Sequence, residues 1–390
     1  MYITGKDELD SVKKSMSIPQ YFRYGGPQTQ AFEQDWAKRI DSKTAYVTTS
    51  GTSALIVCLQ AMGIGPGDSV LVPAFTFIST ALAVTSVGAI PIYTEVDETL
   101  AICPIDIEKK IRRHTAAILP VHMHGMPCNM KAIMKIARKH KLKVLEDCCQ
   151  AAGGSYDKKA LGSHGNMGAF SFNQFKILSC GEGGAIVTSN KKLGERAYMA
   201  QDGSCCVWPQ TGKMSEAFYC SGNYRGNDMT SGILNQQLKR LDGILKDLRG
   251  TRKRVIKGLK LPKGARFVKS NDEAGNCGVC CVIQADTVEL IVKISTILAE
   301  NDLGNHQPIN SGRHIYKHWD VINEKIGGHH PDWDCFRHPK NKNIKTNYDN
   351  VLKKSDDFLT RSLIVTMHYN FTAKKTDAMI KKINKALKEI

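Results

Sequence analysis

Two residues define the chemistry open to this chain: Asp147, which ends the run Val144-Leu145-Glu146-Asp147, and Lys176, which follows Phe170-Ser171-Phe172-Asn173-Gln174-Phe175. Aliphatic residues leading into acids, and then into the small residues Cys148 to Gly154, read as a buried strand that delivers Asp147 to its tip. Reactive groups in α/β proteins collect at such tips. Lys176 stands alone among apolar neighbours, so the sequence predicts a poorly solvated amine. Desolvation disfavours the ammonium form, and a neutral amine is a nucleophile able to form a Schiff base with an aldehyde. The aldehyde that suits this pair is pyridoxal 5′-phosphate. Its pyridine ring needs a nearby acid to stay protonated, and Asp147 lies 29 residues before Lys176 at the end of a neighbouring strand.

The elements that must hold these groups follow from hydrophobic patterning. Strands are predicted at Ala45 to Thr48, Ser69 to Val72, Ile90 to Tyr93, Ala117 to Leu119, from Val144, at Ala169 to Phe172 and at Ala185 to Thr188. Helices alternate with them, including one carrying Phe32, Trp36 and Ile40 on one face and an apolar one over Ala54 to Met62. Such alternation implies a mostly parallel sheet with right-handed crossovers and both faces covered. Thr49-Ser50-Gly51-Thr52-Ser53 precedes the second of these helices, where free N–H groups and the positive end of the helix dipole suit a phosphate. Ser and Thr are also ordinary helix caps. After an irregular stretch from Gln201 to Tyr219, a long helix marked by Ile233 to Leu248 joins the large domain, residues 1–248, to a smaller α+β domain, residues 249–390.

The segments around the reactive pair also carry a resemblance. Asp147-Cys148-Cys149-Gln150, Phe170-Ser171-Phe172 with Lys176 four residues on, and Gly181-Glu182-Gly183-Gly184 resemble the sugar aminotransferases of the DegT/DnrJ/EryC1/StrS family, over most of the chain. The resemblance implies the type I pyridoxal phosphate aminotransferase fold, with Lys176 and Asp147 as the catalytic pair. It further implies Ser50, Gly51, Thr52 and Ser171 at the cofactor phosphate, Gln150 at the phenolic oxygen, and Phe77 stacked on the ring. From the residues alone, Phe77 reads equally well as a core phenylalanine. Gly222-Asn223-Tyr224-Arg225 resembles the motif whose asparagine reaches the phosphate of the partner subunit's cofactor, which implies a homodimer with shared sites. The usual aromatic between glycine and asparagine is missing here, and Gly226 replaces a larger residue. Within the family, Phe22-Arg23-Tyr24 and His314-Ile315-Tyr316-Lys317-His318-Trp319 resemble a subgroup whose acceptor is an 8-keto octulosonate. That likeness implies Arg23, Tyr24, Arg313 and His314 as substrate residues, with either arginine as the partner of the sugar's carboxylate.

Composition narrows the remaining classes. The 390 residues are 42% hydrophobic and 23% charged, the balance of an ordinary globular protein. No stretch is apolar enough for a membrane span, and acids and lysines fill the N-terminal region, so the expected location is the cytoplasm. The 13 cysteines are scattered and odd in number, which fits reduced thiols. Although the net charge is +17, the basic residues lie along helical faces without interleaved aromatics, which argues against nucleic acid as a partner. No metal is expected. His122 and His124 lack a completed ligand set, and the cluster His329, His330, Asp332, Asp334, Cys335 and His338 has no zinc spacing. The glycines of Gly162 to Gly168 precede a strand where a dinucleotide loop would follow one, which excludes that motif.

The expected activity is therefore transfer of an amino group from L-glutamate to a keto sugar, either an 8-keto octulosonate or a nucleotide-linked 3- or 4-keto sugar. A dehydratase of this family would carry histidine in place of Lys176, and a regulatory protein would have lost Lys176 or Asp147.

Overall fold

The computed structural model describes residues 4–18, 21–349, 351–368 and 370–390. Its large sheet contains β1 (Thr44–Thr48), β2 (Ser69–Pro73), β3 (Ile90–Thr94), β4 (Thr115–Ile118), β5 (Lys143–Asp147), β6 (Met167–Ser171) and β7 (Gly184–Thr188). They lie in the order β1-β7-β6-β5-β4-β2-β3. Every pairing from β3 to β6 is parallel, whereas β7 runs antiparallel to both β1 and β6. Strands β2, β3, β6 and β7 are buried along their whole length, as a sheet covered on both faces requires. Because β5 is the central strand, its carboxyl end opens between the ends of β4 and β6. That places Asp147 and Ser171 on one edge of the sheet.

Local sequence explains where the helices begin. Asn129, Asn190, Asn227, Thr287 and Thr372 each accept the N–H three residues on, as good N-caps do. The phosphate-suited helix starts at Gly51 and runs to Ala61, and Ser50 caps it by exchanging bonds with Ser53. It therefore starts three residues before the apolar pattern does.

The smaller sheet, β8 (Ala265–Phe267), β9 (Cys280–Ala285), β10 (Asn305–His306) and β11 (Ser362–Thr366), is wholly antiparallel in the order β8-β9-β11-β10. The long helix spans Asp228–Gly258 and passes straight through residue 248. Its buried Leu234, Leu241, Leu245, Leu248 and Val255 share one apolar cluster with Phe170 and Phe172 of the large sheet region and with Cys281 and Ile283 of the small sheet. Burial of each such side chain contributes about 1.5–3 kcal/mol, so the helix binds the two sheets together and the domain division expected at 248 falls inside one rigid element. C-terminal residues also cover the edge strand β3: Asn347 exchanges two bonds with the Tyr93 backbone at 3.1 and 2.8 Å, and the Tyr348 hydroxyl donates to the Pro91 carbonyl at 2.8 Å. A covered edge cannot template further strand pairing.

Candidate active site

Successive residues of a strand face opposite sides, so Glu146 and Asp147 at the end of β5 have separate surroundings. Glu146 is fully buried and accepts from Gly165 N at 2.7 Å, Gly162 N at 2.9 Å and His122 Nε2 at 3.2 Å. Burial alone would raise its carboxyl, but the bonds from His122 and Gly162 outweigh it and hold the group below its ordinary range. His122 Nδ1 accepts from Cys128 N at 3.0 Å, which fixes the proton on Nε2. Glu146, His122 and the Cys148 sulfur place ligand atoms within 4.8 Å of one another, yet both imidazole nitrogens are already engaged. This is a packing cluster. The spaced glycines from Gly162 serve to satisfy it.

Asp147 looks the other way, into a cleft of about 540 Å³. One of its oxygens accepts from the Thr80 hydroxyl at 2.9 Å and the other from Cys149 N at 3.0 Å. Since Thr80 donates to Asp147, its oxygen receives the Thr76 hydroxyl at 2.7 Å, which fixes the direction of the chain Thr76, Thr80, Asp147. Lys176 lines the same cleft from the loop between β6 and β7. That loop is pinned by Phe172 N to Gly183 O at 2.8 Å, by Lys176 N to Asn173 O at 2.9 Å, and by the buried Ile177 and Leu178. Lys176 is half-buried and not enclosed by apolar groups: Phe175 beside it is 69% exposed. Its apolar neighbours in sequence anchor the loop and leave the amine facing the cleft, where no carboxylate among the described residues pairs with it.

Ser50, Gly51, Thr52, Phe77, Gln150 and Ser171 line this cleft as well. At Gly51 an added Cβ would sit 2.6 Å from Ser171 Cβ and 2.9 Å from Cys149 Sγ, so the helix N-terminus fits against Ser171 only without a side chain. Phe77 is 37% exposed, with its ring 5.6 Å from that of His314, so it belongs to the cleft wall and not to the core. Gln150 Oε1 accepts the His124 N–H at 3.0 Å, which directs one end of the amide to the backbone.

The opposite wall comes from the C-terminal part of the chain: His306, Ser311, Arg313, His314 and Thr366. It is stitched to the Phe77 loop by an antiparallel bridge between Phe75 and Ile315, with Thr76 N to His314 O at 2.9 Å and Ile78 N to Arg313 O at 3.0 Å. The buried Trp319 donates to the Arg313 carbonyl at 3.3 Å. His314 Nδ1 lies 2.6 Å from the Ser311 hydroxyl, and burial, with help from Arg313, Lys176 and His306, pushes its pKa down to about 4. Burial likewise lowers His306, and lowers His124 to about 3 with contributions from His306, His314 and Lys176. These imidazoles are neutral at neutral pH. His124 stands at φ 51°, in the left-handed region, and its Nε2 is buried without a hydrogen-bond partner.

Arg23 and Tyr24 are not brought to this cleft. Arg23 is buried and paired with Glu33 at 2.7 Å beneath the rings of Tyr24, Tyr46 and Tyr198, while the Tyr24 hydroxyl donates to Asp202 at 2.7 Å. Of the substrate residues implied by resemblance, the cleft keeps Arg313 and His314. Asn223 lies exposed outside the cleft of its own chain, its backbone bridged to Asp202. Of the His/Asp/Cys cluster, His329, His330 and Asp332 are exposed, Asp332 within a short 3-10 helix, whereas Asp334 and Cys335 are buried.

A model of the DegT/DnrJ/EryC1/StrS aminotransferase family matches residues 3–309. The chain belongs to that family. It is 36% identical over 251 residues to the spore coat polysaccharide biosynthesis protein SpsC of Bacillus subtilis, covering 63% of this chain and 64% of that protein. Over 170 residues it is 44% identical to UDP-N-acetyl-3-dehydro-alpha-D-glucosamine 3-aminotransferase of Acidithiobacillus ferrooxidans, covering 43% of this chain and 46% of that one. The matches thus span less than two thirds of these relatives. An aminotransferase structure from Psychrobacter cryohalolentis superposes with a TM-score of 0.81 at 25% identity, covering 100% of this chain and 99% of that one. The structure of 3-amino-5-hydroxybenzoic acid synthase shares the fold, with a TM-score of 0.81 at 24% identity and coverage of 100% and 98%. The fold is that of the type I pyridoxal phosphate aminotransferases, and the cofactor of this family member is pyridoxal 5′-phosphate. Three features of the cleft fit that group: the Gly51 cradle with first-turn N–H groups that have no intrahelical acceptor, a buried carboxylate held by Thr80, and a lysine with no carboxylate partner among the described residues.

Sequence reasoning passed over Thr80, His306, Ser311 and Thr366. Thr80 sits three residues after Phe77, at helical spacing from Thr76, and that spacing was a usable signal. His306 and Thr366 reach the cleft only through the order of the small sheet, which no local pattern encodes.

Proposed function

We propose that this protein is a pyridoxal phosphate-dependent aminotransferase that moves an amino group from L-glutamate to a keto sugar. The observation that carries the reading is the meeting of Asp147, Lys176 and the Gly51 cradle in one cleft. When bound, the cofactor supplies an electron sink for the substrate carbon that loses a proton. Asp147, oriented by Thr80 and Cys149 N, holds a proton at the pyridine nitrogen. Lys176 Nζ is the attachment point and then the base and acid at the substrate carbon. Ser50, Gly51, Thr52 and Ser171 would hold the phosphate by hydroxyls and a helix N-terminus, and Phe77 would supply an aromatic wall beside the ring. The NH₂ end of Gln150 would be the donor to the phenolic oxygen, its carbonyl end being taken by His124 N. Asn223, exposed and outside its own cleft, acts on the phosphate in a partner subunit, so the smallest active unit is a homodimer.

For the acceptor, the name of the 44% identical relative favours a nucleotide-linked keto sugar. A second reading, an 8-keto octulosonate, is favoured by Arg313, whose guanidinium suits a carboxylate. The deciding experiment is to mix the purified protein with pyridoxal phosphate and follow cofactor absorbance. A protein-bound band that L-glutamate shifts supports the reading. A protein that binds no cofactor, or whose band no amino acid changes, overturns it.

A further inference from the structure

We infer that Arg313 is the carboxylate-reading residue of the amino-donor half-reaction, a role that rests on the aminotransferase reading above. An amino donor brings carboxylates, and a two-step transfer admits donor and acceptor to the same cleft in turn. The described cleft residues include one lysine and one arginine, Lys176 and Arg313, and Lys176 is committed to the cofactor, which leaves the guanidinium of Arg313 as the fixed positive charge. The cofactor phosphate is already served by hydroxyls and a helix N-terminus. Lining carboxylates do not neutralise Arg313: Asp147 is taken by Thr80 and Cys149 N, and Glu182 accepts from Asn173 at 2.7 Å. Among the described residues no acid pairs with the Arg313 guanidinium, whereas Arg23 is closed off by Glu33. The surrounding imidazoles are no substitute, because burial keeps His124, His306 and His314 neutral.

Position supports the same conclusion. The Arg313 carbonyl accepts from Ile78 N at 3.0 Å, immediately beyond Phe77, and from Trp319 Nε1 at 3.3 Å. The backbone that carries the guanidinium is thereby fixed relative to the ring wall of the cofactor site. A planar fork with no acid partner among the described residues, on a strip hydrogen-bonded to the Phe77 loop, is the arrangement that receives a carboxylate in two parallel bonds.

The test uses the holoprotein. It is titrated by calorimetry with glutarate, a dicarboxylate with no amino group, and mixed separately with L-glutamate while cofactor absorbance is followed. Arg313→Gln should weaken glutarate binding, and raise the L-glutamate concentration for half-maximal conversion, by about 10–100-fold, the scale of losing charge-assisted bonds. Arg313→Lys keeps the charge without the fork, and should fall between the two. Unchanged glutarate affinity in Arg313→Gln with cofactor fully bound overturns the inference. So does loss of cofactor with glutarate affinity retained, since Arg313 would then belong to the cofactor site. If wild-type protein binds glutarate through Arg313 yet converts no amino acid, the aminotransferase reading fails and the donor role of Arg313 falls with it. An Arg313→Gln protein that is blind to glutarate yet converts the amino acid as wild type does marks failure of this inference alone. In the acceptor arm, a parallel loss with a keto sugar acid but not with a nucleotide-linked keto sugar identifies the acceptor as carrying its own carboxylate.

Discussion

The two walls of the cleft differ in both chemistry and construction. The large-sheet wall is made from strand tips and a capped helix start: Asp147 at the end of β5, Ser171 at the end of β6, and Ser50 with Gly51 just beyond β1. Parallel pairing of β5 with β6 sets the first two, and the antiparallel strand β7 between β6 and β1 brings the end of β1 to the same edge, so the order of one sheet fixes the whole set. The opposite wall instead combines His306 and Thr366 from the small sheet with a loop carrying Arg313 and His314, which is tied to residues 74–78 by the Phe75–Ile315 bridge and its flanking backbone bonds, and it presents neutral imidazoles around one arginine. A wall built from a sheet suits a constant cofactor, and a wall built from a tethered loop can change its side chains without disturbing the sheet. Changes in the first wall should therefore abolish turnover, and changes in the second should alter which substrates are accepted.

Lys176→Ala gives the largest effect. Turnover should fall by about 10⁴-fold or more, because attachment point and proton carrier are lost together. Melting temperature should barely move, since Ile177 and Leu178, not the lysine, anchor the loop. Near-normal turnover in this variant would remove Lys176 from the mechanism.

Asp147→Asn comes next and sharpens the contrast between neighbours on β5. A neutral amide cannot keep the pyridine nitrogen protonated, so turnover should drop by about 10²–10³-fold, with cofactor still bound as judged by absorbance. Glu146→Gln should do the reverse, costing stability while leaving the chemistry of the folded protein in place. Its three bonds, to Gly162 N, Gly165 N and His122, require an acceptor on both oxygens, and an amide turns one of them into a donor. Because the Glu146 carboxyl is depressed in the folded state, its contribution is fully present above the ordinary value of 4.5 and is lost as pH falls through the folded value. Acid titration monitored by circular dichroism should show wild type losing stability across that window, with a shallower slope in Glu146→Gln. Equal slopes would remove Glu146 from the acid response.

Gly51→Ala tests the cradle. The new methyl would meet Ser171 Cβ at 2.6 Å, so either the helix start or the strand end must shift. Cofactor affinity should fall by about 10-fold, the effect of one lost hydrogen bond to a charged group, with a smaller loss of turnover at saturating cofactor. Fluorescence titration with pyridoxal phosphate measures it, and an unchanged affinity would place the phosphate elsewhere.

The large-sheet wall was legible in sequence because its residues sit at strand ends and turns, where hydrophobic runs stop. Asp147, Lys176, Ser50 and Gly51 can each be located from their immediate neighbours, and β5 and β7 emerge within a residue of their expected starts. Burial was less legible. Phe175, Ile177 and Leu178 beside Lys176 predict a desolvated amine, but they face the core and the solvent in turn and leave the lysine half-buried. The two walls meet through a pairing of residues 75 and 315, a separation at which no periodicity carries information. For the same reason the sequence left Arg23 and Arg313 as equal partners for a carboxylate. Three-dimensional pairing separates them, since Glu33, ten residues beyond Arg23, closes off that guanidinium.

The smallest effect on turnover, and the last test of the comparison, belongs to Arg23. Its guanidinium is bound in two places to Glu33, at 2.7 and 2.9 Å, and Glu33 also accepts from Val47 N at 2.9 Å on β1. Removing one member of a buried pair leaves the other uncompensated, so Arg23→Gln should cost about 3 kcal/mol of stability and lower the melting temperature. The consequence for catalysis is different. Arg23 lines neither wall of its own cleft, and β1 lies at the sheet edge away from β5, so the concentration dependence for L-glutamate should match wild type at a temperature where the variant is folded. Double substitution of Arg23 and Glu33 by Met and Leu should recover part of the stability, because an apolar pair removes the stranded charge. Steady-state kinetics beside thermal melts separates the outcomes. A shift in the L-glutamate dependence of Arg23→Gln as large as that of Arg313→Gln would mean that the two arginines serve one substrate, with Arg23 reaching the cleft of a neighbouring copy, and the division between a structural and a substrate-reading arginine would fall.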